Sequence, residues 1–414
     1  MDSVRRGTLI NLATRTAAVA LVLLITTFTA RLGTVQQGAF ALFTSVEAVL
    51  LALCSGYGIA LARRVSHHGE EPRALLAATV IACIGLGLLA GLVLWAISAW
   101  GPASYGLLWL LALAAPVLLL APNLQGLWLG EGRMAPMAQL TLAPPLLTLA
   151  VLLAVLLLAA SAQGVQVGQV LGAWVAAKVL VGFALLWLLW RSRRLAAPDF
   201  SALRAELPFV ATIGITNLVS LLNYRVGLFV VERVLGLSDV GIYSIAVVVA
   251  ELLWFVSGSL TQAVYGRIGT PDRAQAVQTT LHVVRLSFVA LLLLAPLLWV
   301  LAQWLLPLLL GPAYAASLPL MGWLLPGVML FGGASALSAY FTNHAGLPQV
   351  PAQVAGLSLL INGGLALLLV PRLGMVGAAL ATSVAYTVAV AVLAWRFARH
   401  AGLLRIRSGT GRLS

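Results

Sequence analysis

The chain has 414 residues, of which 62% are hydrophobic and only 8% are charged, and its mean hydropathy is +1.05. Soluble domains carry about 25% charged and 45–50% apolar residues, so this excess excludes a water-soluble globular protein and makes hydrocarbon the solvent. The net charge is +13, but the arginines fall in short loops between apolar runs and not among aromatics on a soluble module, which excludes nucleic acid as a partner.

The opening stretch MDSVRRGTLINLATRTAAVALVLLITTFTA places basic residues before a long apolar run. That run is too long for a cleaved signal h-region and reads as the first transmembrane helix. A spanning helix needs about 20 mostly apolar residues. Twelve such runs lie near 8–30, 38–62, 75–99, 105–129, 137–160, 167–190, 208–231, 240–263, 279–303, 317–342, 352–371 and 375–398. The expected fold is therefore all-α and integral to the membrane. Cys54 and Cys83 lie inside apolar runs, which suits neither a disulfide framework nor a metal site; they read as small packing residues. The longest polar stretch, RSRRLAAPDFSALRAELP from Arg191 to Pro208, divides the chain almost in half. The expected organisation is an N-lobe of helices one to six (1–190), a cytoplasmic linker (191–207), a C-lobe of helices seven to twelve (208–400) and a cytoplasmic tail (401–414).

Orientation follows from the arginines. With both termini cytoplasmic, inner segments hold 17 of them and outer loops hold only Arg31, Arg233 and Arg372. Such a bias sets topology. The halves also repeat. RLGTVQQGAFALFTSVEAVLLAL from Arg31 aligns without gaps on VLGLSDVGIYSIAVVVAELLWFV from Val234, an offset of 203 residues that matches Gly33 with Gly236 and Gly38 with Gly241. The offset spans an even number of helices, so the halves form a parallel repeat of two pseudo-symmetric six-helix lobes.

Few ionisable residues fall within spans: Arg15, Glu47, Lys178, Arg225, Glu251, His282 and Arg285. A charge at mid-bilayer costs about 2.5–3.5 kcal/mol on insertion scales, so each is expected to face protein or water. Arg15 lies four residues after Asn11, on the same face of helix one. In LNYRVGLFVVERVLG, Leu222 to Gly236, Arg225 sits inside an apolar helix beside a polar face made by Thr212, Thr216, Ser220, Asn223 and Gly227. The two arginines either border a substrate cavity, with Asn11 and Asn223 as neighbours, or snorkel to the nearer interface. Glu47 and Glu251 hold nearly equivalent places in helices two and eight. Each reads as a proton site, an ion-pair partner for a cavity arginine, or an interhelical hydrogen bond within its lobe. Lys178 has no obvious partner. Tyr340, Asn343 and His344 close helix ten. There is no phosphate loop, no H-E-x-x-H, no G-x-S-x-G and no outer loop able to hold paired carboxylates, so neither enzymatic activity nor a metal or cofactor is expected.

INGGLALLLVPRLGMVGAALATSVAY, Ile361 to Tyr386, combines an Asn, an apolar run, a Pro and then Gly-x-x-Gly-Ala-Ala-x-Ala-Thr. With LGLSDVGIYSIAVVVAELLW and LWLGEGRMAPMAQ, it resembles the polysaccharide transporters, the oligosaccharide flippases of the Wzx type in the MOP superfamily. The resemblance covers the whole chain, including the helix count and the mid-chain basic loop. It implies a MATE-like two-lobe fold in the cytoplasmic (inner) membrane. It also implies alternating-access flipping of an undecaprenyl-pyrophosphate-linked oligosaccharide, an O-antigen, capsule or exopolysaccharide repeat unit. Its implied partners are that lipid-linked oligosaccharide, membrane lipid, and polysaccharide polymerase and chain-length machinery. One departure stands out: members often carry an acid two positions after the arginine of helix seven, and here that position is Gly227. Two alternatives come from other classes. A cation-coupled multidrug exporter of MATE type calls for carboxylates in helices one and seven. A membrane glycan ligase or acyltransferase calls for polar catalytic residues in a sizeable loop.

Overall fold

The computed structural model describes residues 2–68, 73–158 and 165–403, with side chains over 13–66, 73–154 and 165–403. The apolar runs form helices because a backbone in hydrocarbon must satisfy its own N–H and C=O groups. Among the described residues twelve spans are long and apolar enough to cross a membrane: α1 (Ala13–Arg31), α2 (Thr34–Cys54), α3 (Arg73–Trp100), α4 (Leu108–Gly130), α5 (Met134–Ala154), α6 (Val167–Arg191), α7 (Phe200–Leu235), α8 (Leu237–Ala263), α9 (Arg273–Leu310), α10 (Pro312–His344), α11 (Gln349–Leu373) and α12 (Met375–His400). No strand occurs among the described residues. Side chains that water would drive inward stand open: Leu92 is 66% exposed, Leu293 70% and Leu360 75%. That distribution fits a lipid solvent, which gives leucine no reason to hide.

Number and order of spans agree with the hydropathy reading, and the ends differ where polar residues prolong a helix. α7 starts at Phe200, not near 208, because Asp199 caps it. Asp199 Oδ1 accepts from the Ser201 hydroxyl at 2.6 Å and from the backbone N–H groups of Ser201 at 2.9 Å and Ala202 at 3.0 Å. These bonds, the hydroxyl's first, hold the Asp199 carboxyl below its usual range, with Arg64 adding to the effect. The polar segments are then tied by ion pairs, Arg64 to Glu206 at 3.0 Å and Arg194 to Glu131 at 2.7 Å.

Two compact units divide the chain. One holds the described residues up to Leu221 together with Leu235–Gly241 and Leu309–Gly311; the other holds Leu222–Val234, Ile242–Leu308 and the described residues from Pro312 onward. In the first unit, Leu76, Leu111, Leu124 and Leu171 form part of a continuous buried core. Small residues let its helices meet: a Cβ on Gly126 would stand 1.9 Å from the Gly58 carbonyl oxygen. The sequence repeat is also written in this unit's backbone. Gly33 and Gly236, which open α2 and α8, have φ of 121° and 95°, a region open to glycine at no steric cost. A Cβ on Gly38 would lie 1.9 Å from the Leu237 carbonyl oxygen, and one on Gly241 2.0 Å from the Thr34 carbonyl oxygen. Leu237 is the repeat equivalent of Thr34, so the contact is reciprocal, as across a two-fold axis. Thr34 Oγ1 and Ser238 Oγ share a hydrogen bond of 2.8 Å beside it.

In the second unit, α11 and α12 close on one another through the Gly-Ala stretch. Ala378, Ala379 and Ala381 are fully buried, and a Cβ on Gly377 would sit 2.5 Å from the Leu369 carbonyl. Ser383 Oγ accepts the Gly327 N–H at 2.8 Å and ties α12 to α10.

Candidate functional site

Arg225 is not left alone in its apolar helix. Its Nη2 lies 3.4 Å from Glu251 Oε2, within the second unit. The expected acid two residues on is absent because Gly227 gives its space to Tyr243, whose hydroxyl would lie 2.8 Å from a Cβ there. The carboxylate comes instead from α8, at the point where that helix breaks between Glu251 and Leu253. Tyr224, the neighbour of Arg225 in sequence, joins a cluster of rings with Trp254 of α8, Phe331 of α10 and Tyr386 of α12, the closest centroids 4.6 Å apart.

Asn223 points the other way in environment. It is 0% exposed, and neither polar atom of its side chain has a hydrogen-bond partner. Asn362 Nδ2 donates to its backbone carbonyl at 3.0 Å, and Thr382 Oγ1 donates to Asn362 Oδ1 at 3.3 Å. Thr212, Thr216 and Ser220 donate to carbonyls one turn earlier in α7, so these hydroxyls satisfy themselves within the helix.

The first unit carries a second intramembrane pair. Glu47 accepts from Lys178 Nζ at 2.6 Å and from Trp174 Nε1 at 2.8 Å. The Lys178 ammonium also sits 4.1 Å from the Trp174 ring centroid. This supplies the partner that Lys178 lacks in the linear sequence, joining α2 to α6. Glu47 uses both carboxylate oxygens in short charge-assisted bonds; Glu251 has one long contact. The two equivalent-looking carboxylates are therefore held very differently.

Arg15 lines a cavity of about 150 Å³ with Thr14 of α1, Gln125 of α4, and Met134, Met137, Ala138 and Thr141 of α5. No lining residue is acidic, and among the described residues no carboxylate pairs with Arg15. Asn11 lies outside the residues whose side chains are described. At the end of α10, Tyr340, Asn343 and His344 form a π-helical turn with local roles. Tyr340 Oη meets His400 Nδ1 at 3.1 Å, Asn343 Nδ2 donates to the Tyr265 carbonyl at 2.6 Å, and His344 Nδ1 lies 2.8 Å from the Thr270 carbonyl. Among the described residues no group of three His, Cys, Asp or Glu could hold a metal.

No family model and no curated protein matches the chain. Solved structures do. An inward-facing multidrug resistance MATE family transporter of the MOP superfamily superposes with a TM-score of 0.77 at 17% identity, over 97% of this chain and 96% of that one. An outward-facing MATE family transporter gives 0.67 at 17% identity, with the same coverage. A MOP superfamily transporter from Pyrococcus furiosus, described as having a binding pocket of reverse polarity that suggests a different function, gives 0.67 at 16% identity, over 97% and 95%. The chain therefore has the fold of the MATE transporters of the MOP superfamily, with twelve candidate spans among the described residues.

Proposed function

We propose that this protein moves an undecaprenyl-pyrophosphate-linked oligosaccharide from the cytoplasmic to the outer leaflet of the inner membrane. Alternating access of its two lobes would carry the sugar through a polar path while the lipid tail stays in the bilayer. The observation that carries the reading is Arg15: an exposed arginine near the start of the first span, lining a cavity with no acid among its described lining residues. A guanidinium in that setting is built for an anion, and its forked donors match phosphate oxygens. Arg225 supplies a second cation in α7, nearer the other membrane face, with a partner held only loosely. Asn11 and Asn223 are the polar residues proposed to accompany them.

The fold itself favours a second reading, a cation-coupled multidrug exporter, because solved multidrug resistance MATE family transporters share it. The charges speak against it. α1 holds no carboxylate, and in α7 Glu206 is paired with Arg64 while Glu232 lies near the far end. The Pyrococcus furiosus structure's description already ties this fold to a pocket of reversed polarity. Depletion in the native host tests the proposal. Lipid-linked glycan should accumulate on the cytoplasmic side; unchanged delivery to the outer face would reject it.

A further inference from the structure

Glu251 shares a single contact of 3.4 Å with Arg225, beyond the roughly 2.7–2.9 Å of a tight charge-assisted bond. Its other oxygen has no donor among the described residues. The titratable groups that interact with it among the described residues are Arg225 and the neutral phenols Tyr224 on α7, Tyr243 on α8 and Tyr386 on α12. Among the described residues no second cation stands ready to hold Glu251 if Arg225 turns away.

We propose that Glu251 is a displaceable counter-anion: an arriving pyrophosphate takes Arg225 from it, and the carboxylate left behind takes up one proton. This rests on the reading that the cargo carries a pyrophosphate. The empty site is neutral as the Arg225–Glu251 pair. In the loaded site the guanidinium faces the phosphates, and a bare carboxylate beside them would add like-charge repulsion and lose its only cation. Protonation removes both penalties. The proton comes from water and returns to water when the cargo leaves. Glu47 is excluded from this role because Lys178 and Trp174 each hold one of its oxygens.

The test uses full-length protein in detergent and a short-chain prenyl-pyrophosphoryl-N-acetylglucosamine, a diester whose phosphates do not titrate near neutral pH. Calorimetry in buffers of different ionisation enthalpy counts the protons taken up. The expected result is close to one proton per bound probe, with affinity falling about tenfold per pH unit through the titrating range. Glu251→Gln should bind with no proton uptake and a flat pH profile, and Arg225→Ala should lose the proton linkage. Arg225-dependent binding without proton uptake in the wild-type protein would overturn the switch and leave the cargo reading standing. Absence of any Arg225-dependent binding would overturn both. The wild-type proton count decides the matter even where Glu251→Gln fails to fold.

Discussion

Two carboxylates at similar places in their repeats are set to different tasks by their neighbours. Glu47 is clamped by two short bonds, from Lys178 and Trp174. Glu47→Gln leaves the partly buried Lys178 ammonium without its anion; breaking a fully buried pair costs roughly 3–5 kcal/mol, and the lysine's partial exposure lowers that cost. Thermal unfolding in detergent should therefore show a loss of stability or of folded yield. Glu47→Gln with Lys178→Met should regain much of it, because the unpaired charge is gone. An unchanged melting temperature in the single variant would show that the clamp is not structural. The Glu47–Lys178 pairing was not legible in the sequence, whereas an arginine partner for Glu251 was one of its open readings. Hydropathy periodicity places a residue along a helix; it does not give the rotation of that helix against one 131 positions away. The burial of Asn223 was hidden for the same reason, since spacing put it on a polar face whose hydroxyls turn out to bond back to their own helix.

At the scale of elements, the twelve spans were legible because lipid imposes one rule on every segment, and the count holds. The start of α7 was not, because its first turns are amphipathic and depend on a cap. Asp199→Ala should fray the segment from Phe200 to Pro208, read as faster hydrogen exchange there. The same fraying is expected on acidification. The Asp199 carboxyl is held below its usual range, so its contribution is complete above the unfolded value and is lost as pH falls through the lowered folded value. The paired glycines make a firmer demand. Gly38→Val would drive a side chain into the Leu237 carbonyl, where even a Cβ falls 1.9 Å away. Overpacking typically costs about 1–3 kcal/mol, and a backbone atom cannot step aside like a flexible side chain. Gly38→Val and Gly241→Val should each lower the melting temperature, and each by a similar amount if the contact is as reciprocal as the repeat implies. Gly85, with open space around it, serves as the control: Gly85→Ala should be tolerated.

For the whole molecule, both topology and cargo are proposals that labelling and transport can test. From the charge bias we propose that both termini and the segment after Arg191 are cytoplasmic. Ser201, exposed just after the Asp199 cap, is the reporter: Ser201→Cys should be labelled by a membrane-impermeant maleimide only after the cells are opened. Ready labelling of intact cells would invert the arrangement. The claim on which the account turns is that arginines within the spans carry an anionic cargo. Transport of lipid-linked oligosaccharide in proteoliposomes, with variants matched for folded protein, tests it most directly. Arg15→Ala should weaken loading and Arg225→Ala should slow completion of the flip. Arg→Lys at either site should rescue only partly, because an ammonium lacks the forked donors. If both alanine variants flip cargo at the wild-type rate, the arginines only anchor their helices at the interface, and the anion pathway does not exist.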